Sequence, residues 1–264
     1  MKPLSALSAD ALRRIRGVFF DIDDTLTTDG RLTAQAYAAM QNLKASERIV
    51  VPITGRPAGW CDHIARMWPV DAVVGENGAF YFRYDRKTRT MQKRFLQSDA
   101  ERAKHRRRLE TLCATILAEV PGTGISSDQL YREADLAIDY CEDVPRLPQA
   151  EVEKIVKLFE QAGATAKISS IHVNGWFGAY DKITMTRAMM HELFEINLDE
   201  AKDQFIFVGD SPNDAPSFAY FPLSIGVANI RDFAGRLKTE PAYVTDHRCG
   251  EGFAEVVQAL LSAD

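Results

Sequence analysis

Three carboxylates, Asp21, Asp23 and Asp24, follow directly on an apolar run, Val18-Phe19-Phe20. Like charges repel, and a buried carboxylate costs free energy unless something opposes it. Acids at the end of a buried strand therefore persist chiefly where a cation gathers them. A carboxylate is also a nucleophile able to attack phosphorus. Asp21 and Asp23 are two apart, so on an extended backbone they point the same way. A tight turn after the strand would aim both into one cavity. A surface turn rich in Asp is the plainer account, and the apolar residues running straight into the acids weigh against it.

Distant residues complete the chemistry. Thr54 ends a second apolar run, Lys182 opens a helical stretch, and Asp210 ends the apolar run Phe205-Ile206-Phe207-Val208. In open parallel sheets, sites form beyond the carboxyl ends of the strands, so all four residues can share one crevice. Attack by Asp21 on a phosphate ester brings two anions together. A hard cation such as Mg²⁺, held by Asp21 and Asp210, lowers that repulsion. The ammonium of Lys182, the hydroxyl of Thr54 and N–H groups of the turn suit phosphoryl oxygens. Asp23 is placed to give the leaving alkoxide its proton and then to take one from the attacking water.

The elements that must position these residues are legible in turn. A short amphipathic helix is expected over 4–16 and a strand over 18–20. Thr33 should cap a helix over 34–45. A strand over 48–53 carries Pro52, unusual away from a sheet edge. A helix over 58–67 and a strand over 72–74 follow. Such alternation implies a parallel sheet with right-handed crossovers. Beyond Gly78 the texture changes to a hairpin over 79–95, helices over 99–119 and 149–162, and strand-like stretches within 130–140, 164–168 and 171–173. Alternation then resumes, with Asp181 capping a helix over 182–194, strands over 204–208, 223–227 and 242–244, and a closing helix over 250–261. The organisation expected is a core of residues 1–82 and 178–264, with an α+β insert, residues 83–177, between two hinge crossings.

The motifs resemble those of the haloacid dehalogenase superfamily. Asp21-Ile22-Asp23-Asp24-Thr25-Leu26-Thr27 resembles its first motif, D-x-D-x-T with apolar residues ahead. Thr54-Gly55-Arg56 resembles the second, Lys182 falls where the third is expected, and Gly209-Asp210-Ser211-Pro212-Asn213-Asp214 is similar to the fourth, G-D-x-x-N-D. The resemblance implies an α/β fold, a Rossmann-like doubly wound parallel sheet with an inserted α+β cap. It implies Asp21 as nucleophile and Asp23 as acid/base. It implies Mg²⁺ on the carboxylates of Asp21 and Asp210 and on the backbone carbonyl of Asp23. Thr54, Gly55 and Lys182 would hold phosphate, and Asp214, with Asn213 supporting, would steady metal-bound water or Lys182. An acid at position 23 favours phosphate esters over dehalogenation. The place and texture of the insert are similar to caps of the IIB subgroup (type C2B). That subgroup includes sucrose-phosphate, trehalose-phosphate and mannosyl-phosphoglycerate phosphatases and phosphomannomutases. Gly75-Glu76-Asn77-Gly78-Ala79 is similar to an E-N-G-A stretch of several such members. The expected activity is a Mg²⁺-dependent phosphatase acting on a small phosphorylated sugar or sugar derivative. Its rivals are a phosphomutase and a non-catalytic sugar-phosphate sensor.

Three further residues are candidates for the substrate side. Asn77 suits either substrate contact or a turn, and Asn174 and Trp176 suit a sugar or the packing of a hinge. Residues 83–108 hold eleven Lys/Arg against three Asp/Glu, and 110–153 hold ten acids against two bases. Substrate steering competes there with a plain solvated face, the preferred account. With 264 residues, net charge −5 and a basic run this short, nothing points to nucleic acid, and no stretch has the apolar length to span a bilayer. Cys61, Cys113, Cys141 and Cys249 are widely spaced, which argues for reduced thiols, and with no export signal read at the start the expected location is the cytoplasm.

Overall fold

A computed structural model describes residues 1–169 and 171–263, so Ser170 and Asp264, within the expected insert and core ranges, lie outside the described residues. The chain opens with β1 (Lys2–Pro3) and α1 (Ala9–Arg13). It then alternates β2 (Gly17–Phe20), α2 (Ala34–Ala45), β3 (Ile49–Pro52), α3 (Ala58–Met67) and β4 (Val73–Gly75). A hairpin, β5 (Phe80–Asp85) and β6 (Thr90–Phe95), leads to α4 (Asp99–Glu119), β7 (Gly124–Ile125), β8 (Leu136–Asp139), α5 (Gln149–Gln161), β9 (Thr165–Ile168) and β10 (His172–Trp176). The rest comprises α6 (Lys182–Phe194), α7 (Leu198–Ala201), β11 (Phe205–Gly209), α8 (Ala215–Tyr220), β12 (Leu223–Gly226), β13 (Tyr243–Val244) and α9 (Cys249–Leu261).

Six strands form a parallel sheet in the order β1-β13-β12-β11-β2-β3. Helices cover both faces, which is why its strands are apolar throughout rather than alternating. Val18 and Phe20 of β2 pack into one layer with Met40 and Leu43 of α2 and Phe253 and Val256 of α9. Phe19, pointing the other way, packs with Met185 and Met189 of α6. Pro52 is tolerated because β3 ends the six-stranded sheet and the neighbouring Ile53 N–H makes the bond to β2, at Phe20 O. Thr33 and Asp181 cap their helices as expected, accepting from the N–H of Ala36 and Thr184. Ser98 and Glu101 form a reciprocal capping box at the start of α4.

The inserted α+β cap is built on a four-stranded antiparallel sheet, β7-β8-β10-β9. Alternation divides its faces. Val173 and Ile138 pack under α4 and α5, against Ile116, Ile155 and Phe159. His172, Asn174 and Trp176 therefore share the opposite face, toward the parallel sheet's site. Gly175 lies under Phe159, where an added Cβ would sit 2.1 Å from a ring carbon, so no larger residue fits.

Some expectations shift. Asn174, Gly175 and Trp176 were expected where the insert returns to the core. They lie inside β10, paired with β8 and β9, because the strand runs to residue 176 before the chain turns back. The expected crossing at residue 82 falls inside β5, which pairs along its length with β6 and also with β4. The first helix is shorter than 4–16: Ser8 caps α1 afresh after a separate turn over 4–6. The two-residue β1 and β7 and the four-residue α7 are too short to leave a periodic signal.

Candidate active site

The carboxyl ends of β2 and β11 bring Asp21 and Asp210 together, as their parallel pairing requires. Both are 5% exposed, and Asp214 is fully buried beside them. Lys182, the first residue of α6, reaches Asp21 Oδ1 at 2.8 Å and Asp214 Oδ1 at 3.1 Å. Its placement depends on the Glu76-Asn77-Gly78 turn. Gly78 has φ +103°, and a Cβ there would lie 2.0 Å from the Asp181 carbonyl oxygen. Only glycine lets this turn press against the start of α6.

One cation faces three acids. Carboxylate oxygens of Asp21, Asp210 and Asp214 lie within 4.8 Å of one another. Burial, with repulsion from Asp214 and Asp23 and against the pull of Lys182, raises the Asp21 pKa to about 7. Burial and then repulsion from Asp214 and Asp21 push Asp210 well above the usual carboxylate range. Burial would depress the Lys182 ammonium, but Asp21 and Asp214 outweigh it and raise its pKa. Asp210 also accepts from Thr25 Oγ1 at 3.0 Å and, at 3.5 Å, from Asn229 Nδ2. Hard oxygen donors with surplus negative charge fit a hard divalent cation. Asp21, Asp210 and Asp214 are the residues that would hold or surround it.

The Asp23 side chain turns from this trio to Arg56, whose Nε and Nη2 donate to its carboxylate at 2.6–3.0 Å. The Arg56 guanidinium also stacks over the Trp60 ring. Thr54 is fully buried, and its hydroxyl accepts from the Arg56 N–H at 3.0 Å. Gly55 lies at the cavity wall. So does Asn77, held in the left-handed region (φ 56°), with its buried Nδ2 unpartnered among the described residues. Asn213 lines the cavity with an Oδ1 that is unpartnered among the described residues. Asn174 lines it too, donating to Asp135 Oδ2 at 3.1 Å. Trp176 does not: it is 2% exposed and stacks on Tyr180 at 5.6 Å between ring centres.

The cavity measures about 1120 Å³, with an acidic floor from the parallel sheet and a roof from the cap. Cap and sheet are joined beside it. Glu76, fully buried, accepts from the N–H groups of Ala58, Glu133, Ala134 and Asp135. Arg132 of the cap donates to Gly55 O, Asp128 and Asp135. Sequence reasoning missed Arg56, Thr25, Asn229, Glu76 and Arg132 as site builders. The first two stand inside recognisable motifs. Asn229 and Arg132 carry no local signal. The basic stretch of α4 takes no part: Arg102 and Arg106 meet Glu133, and Arg108 donates to Ala162 O and covers the Phe177 ring. The four cysteines form no disulfide.

A doubly wound α/β fold with an inserted cap and this acid-and-lysine site define the class. Residues 18–129, which contain the first two motifs, match the family model of the haloacid dehalogenase-like hydrolases. Solved structures share the fold at low identity. A protein of Thermoplasma acidophilum is 18% identical, with 94% of this chain and 98% of that one covered and a TM-score of 0.69. The sucrose-phosphatase of Synechocystis sp. PCC6803, in complex with sucrose and phosphate, is 13% identical over 93% and 98%, with a TM-score of 0.64. A trehalose-6-phosphate phosphatase related protein is 16% identical over 93% and 95%, with a TM-score of 0.60. No curated protein matches this chain by sequence. Among the described residues, no helix is long and apolar enough to cross a membrane.

Proposed function

We propose that the protein is a Mg²⁺-dependent phosphatase of a small phosphorylated sugar or sugar derivative, acting in the cytoplasm. The observation that carries this reading is the convergence of Asp21, Lys182 and the pair Asp210 and Asp214 from three separate parts of the chain. Asp21 attacks phosphorus, forming an aspartyl phosphate as the bond to the leaving oxygen breaks. Asp23, oriented by Arg56, gives that oxygen its proton. Water then attacks the aspartyl phosphate while Asp23 takes a proton from it, releasing phosphate and restoring Asp21. Lys182, the Gly55 wall and the Thr54 turn hold the phosphoryl oxygens. Asp21, Asp210 and the Asp23 backbone carbonyl would hold the Mg²⁺, with Asn213 and Asp214 in support. The bound ion supplies charge neutralisation between nucleophile and phosphate.

The cap shapes the sugar site. We assign the core to residues 1–82 and 178–264 as the sequence suggests, with the β5–β6 hairpin added because of its pairing with β4. Asn77 and Asn174 are the substrate contacts this reading retains; Trp176 packs the junction instead. Two neighbours in the fold are a sucrose-phosphatase and a trehalose-6-phosphate phosphatase related protein, and this supports a sugar phosphate. The test is release of inorganic phosphate from a panel of phosphorylated sugars with and without Mg²⁺. Metal-dependent release is expected. Normal release by Asp21→Asn would end the mechanism.

A further inference from the structure

The cavity is bipolar. Its floor carries seven carboxylates, with Asp21, Asp23, Asp24 and Asp210 at its centre, against three guanidiniums, Arg56, Arg236 and Arg248, whereas the cap contributes Arg132, Arg146, Lys167 and His172 and, among the described lining residues, no carboxylate. Two of those four roof groups are already engaged. Arg132 is committed to Asp128, Asp135 and Gly55 O. His172 Nε2 lies 2.8 Å from Glu142 Oε2, and burial lowers its pKa. Arg146 and Lys167 are exposed at the wall and make no ion pair among the described residues. Lys167 is registered directly opposite Asn174 across β9 and β10, so the two side chains share the sheet face that looks into the cavity. An insert in which acids outnumber bases from residue 110 to 153 thus turns two uncommitted cations, and no acid, toward the site.

The floor takes the phosphoryl group and its cation, so the roof faces whatever the phosphoryl group is attached to. A neutral sugar would meet two cations that it cannot neutralise. We infer that the leaving group carries a second anionic group, a carboxylate or a second phosphate, received by Arg146 and Lys167 with Asn174 beside them. A guanidinium and an ammonium each give charge-assisted hydrogen bonds to such oxygens. The volume of about 1120 Å³ exceeds what a phosphorylated monosaccharide needs and leaves room for the added group.

This inference rests on the phosphatase reading, and the experiment separates the two. The Mg²⁺-loaded protein is assayed for phosphate release from glucose 6-phosphate, 6-phosphogluconate and fructose 1,6-bisphosphate, with ligand protection against thermal unfolding measured in parallel. The expected result is a kcat/KM about tenfold higher for one of the two doubly anionic esters, 6-phosphogluconate marking a carboxylate and the bisphosphate a second phosphate. The advantage should appear in KM. In the double variant Arg146→Gln, Lys167→Gln the ratio of doubly anionic to neutral substrate should fall to near one, and Arg146→Lys, Lys167→Arg should restore most of it. Equal kcat/KM for all three esters in the unaltered protein, or a ratio unmoved in the double variant, overturns the second-anion subsite and leaves the phosphatase reading standing. Selective thermal protection by a doubly anionic ester without phosphate release would sink the phosphatase reading and keep the subsite.

Discussion

Two buried acid clusters lie side by side in this molecule, each with three carboxylates around one central cation. Around Lys182 stand Asp21, Asp210 and Asp214; around Arg132 stand Asp128, Asp135 and Glu76. The second also has the Arg56 guanidinium 4.0 Å from Asp128, and the larger difference lies in their hydrogen bonds. In the second cluster Glu76 accepts four backbone N–H groups, Asp128 accepts from Ser126 and Arg132, and Asp135 accepts from Arg132 and Asn174. In the first, Lys182 is the donor given to Asp21, and Asp210 relies on Thr25 and a long contact from Asn229. The protein satisfies one set of oxygens and leaves the other short of donors. Buried acids saturated by protein donors hold a structure together, whereas buried acids left repelling one another are ready for a cation and a reaction.

The largest expected effect follows from the unsaturated side. Asp21→Asn should lower phosphate release by at least about a thousandfold, since the nucleophile is lost. In metal-free buffer the variant should melt no lower than the parent, because it removes one of three mutually repelling charges. A clear drop in melting temperature would show that the two clusters are alike after all. Arg132→Ala should act in the opposite sense. It strands Asp128 and Asp135 without their cation and should cost about 3–5 kcal/mol in urea unfolding, as expected when one partner of a buried ion pair is removed. Loss below about 1 kcal/mol would mean that the backbone donors alone suffice.

These clusters differ also in how far the sequence revealed them. Asp21, Lys182 and Asp210 were legible because each stands at the end of an apolar strand or the start of a capped helix, where chemistry of this kind must sit. The parallel sheet was legible for the same reason: Val18 to Phe20 and Phe205 to Val208 are apolar on both faces. Arg132 and Asp135 follow a short turn in a loop with no period, and their partners, Glu76 and Gly55, lie more than fifty residues earlier. No local pattern encodes that meeting. Trp176 misled because an aromatic residue near a glycine reads equally as a hinge or a sugar platform. Its burial was decided by the register of β10 against β9.

Cation binding tests the same contrast more gently. Mg²⁺ at about a hundred times its dissociation constant should stabilise the native protein by about 2.7 kcal/mol, read as a rise in melting temperature. Asp210→Asn should lose most of that rise. Asp135→Asn should keep it, even if the variant starts from a lower melting temperature. Equal loss in both variants would mean that the ion is not confined to the unsaturated cluster.

The smallest effect is a slope with pH, and it compares the two clusters within one titration. Burial, then repulsion from Asp135, raises the Glu76 pKa to about 8, against the pull of Arg132 and its N–H donors; Asp21 is raised to about 7. A raised carboxyl pKa means that the folded chain keeps a proton which the unfolded chain gives up. Each such group therefore stabilises fully below its ordinary pKa, near 4, and loses that contribution as pH rises through the folded value. Where one proton separates the two states, stability falls by about 1.4 kcal/mol per pH unit. Metal-free protein should accordingly weaken between about pH 5 and 8 in urea unfolding. Mg²⁺ favours the ionised form of Asp21 and should remove its share of the slope, ending near pH 7. The share of Glu76 should persist to about pH 8 and be missing from the slope of Glu76→Gln. If parent and variant instead run parallel between about pH 5 and 8, the four N–H donors hold Glu76 ionised, and the satisfied cluster is more complete than its burial suggests.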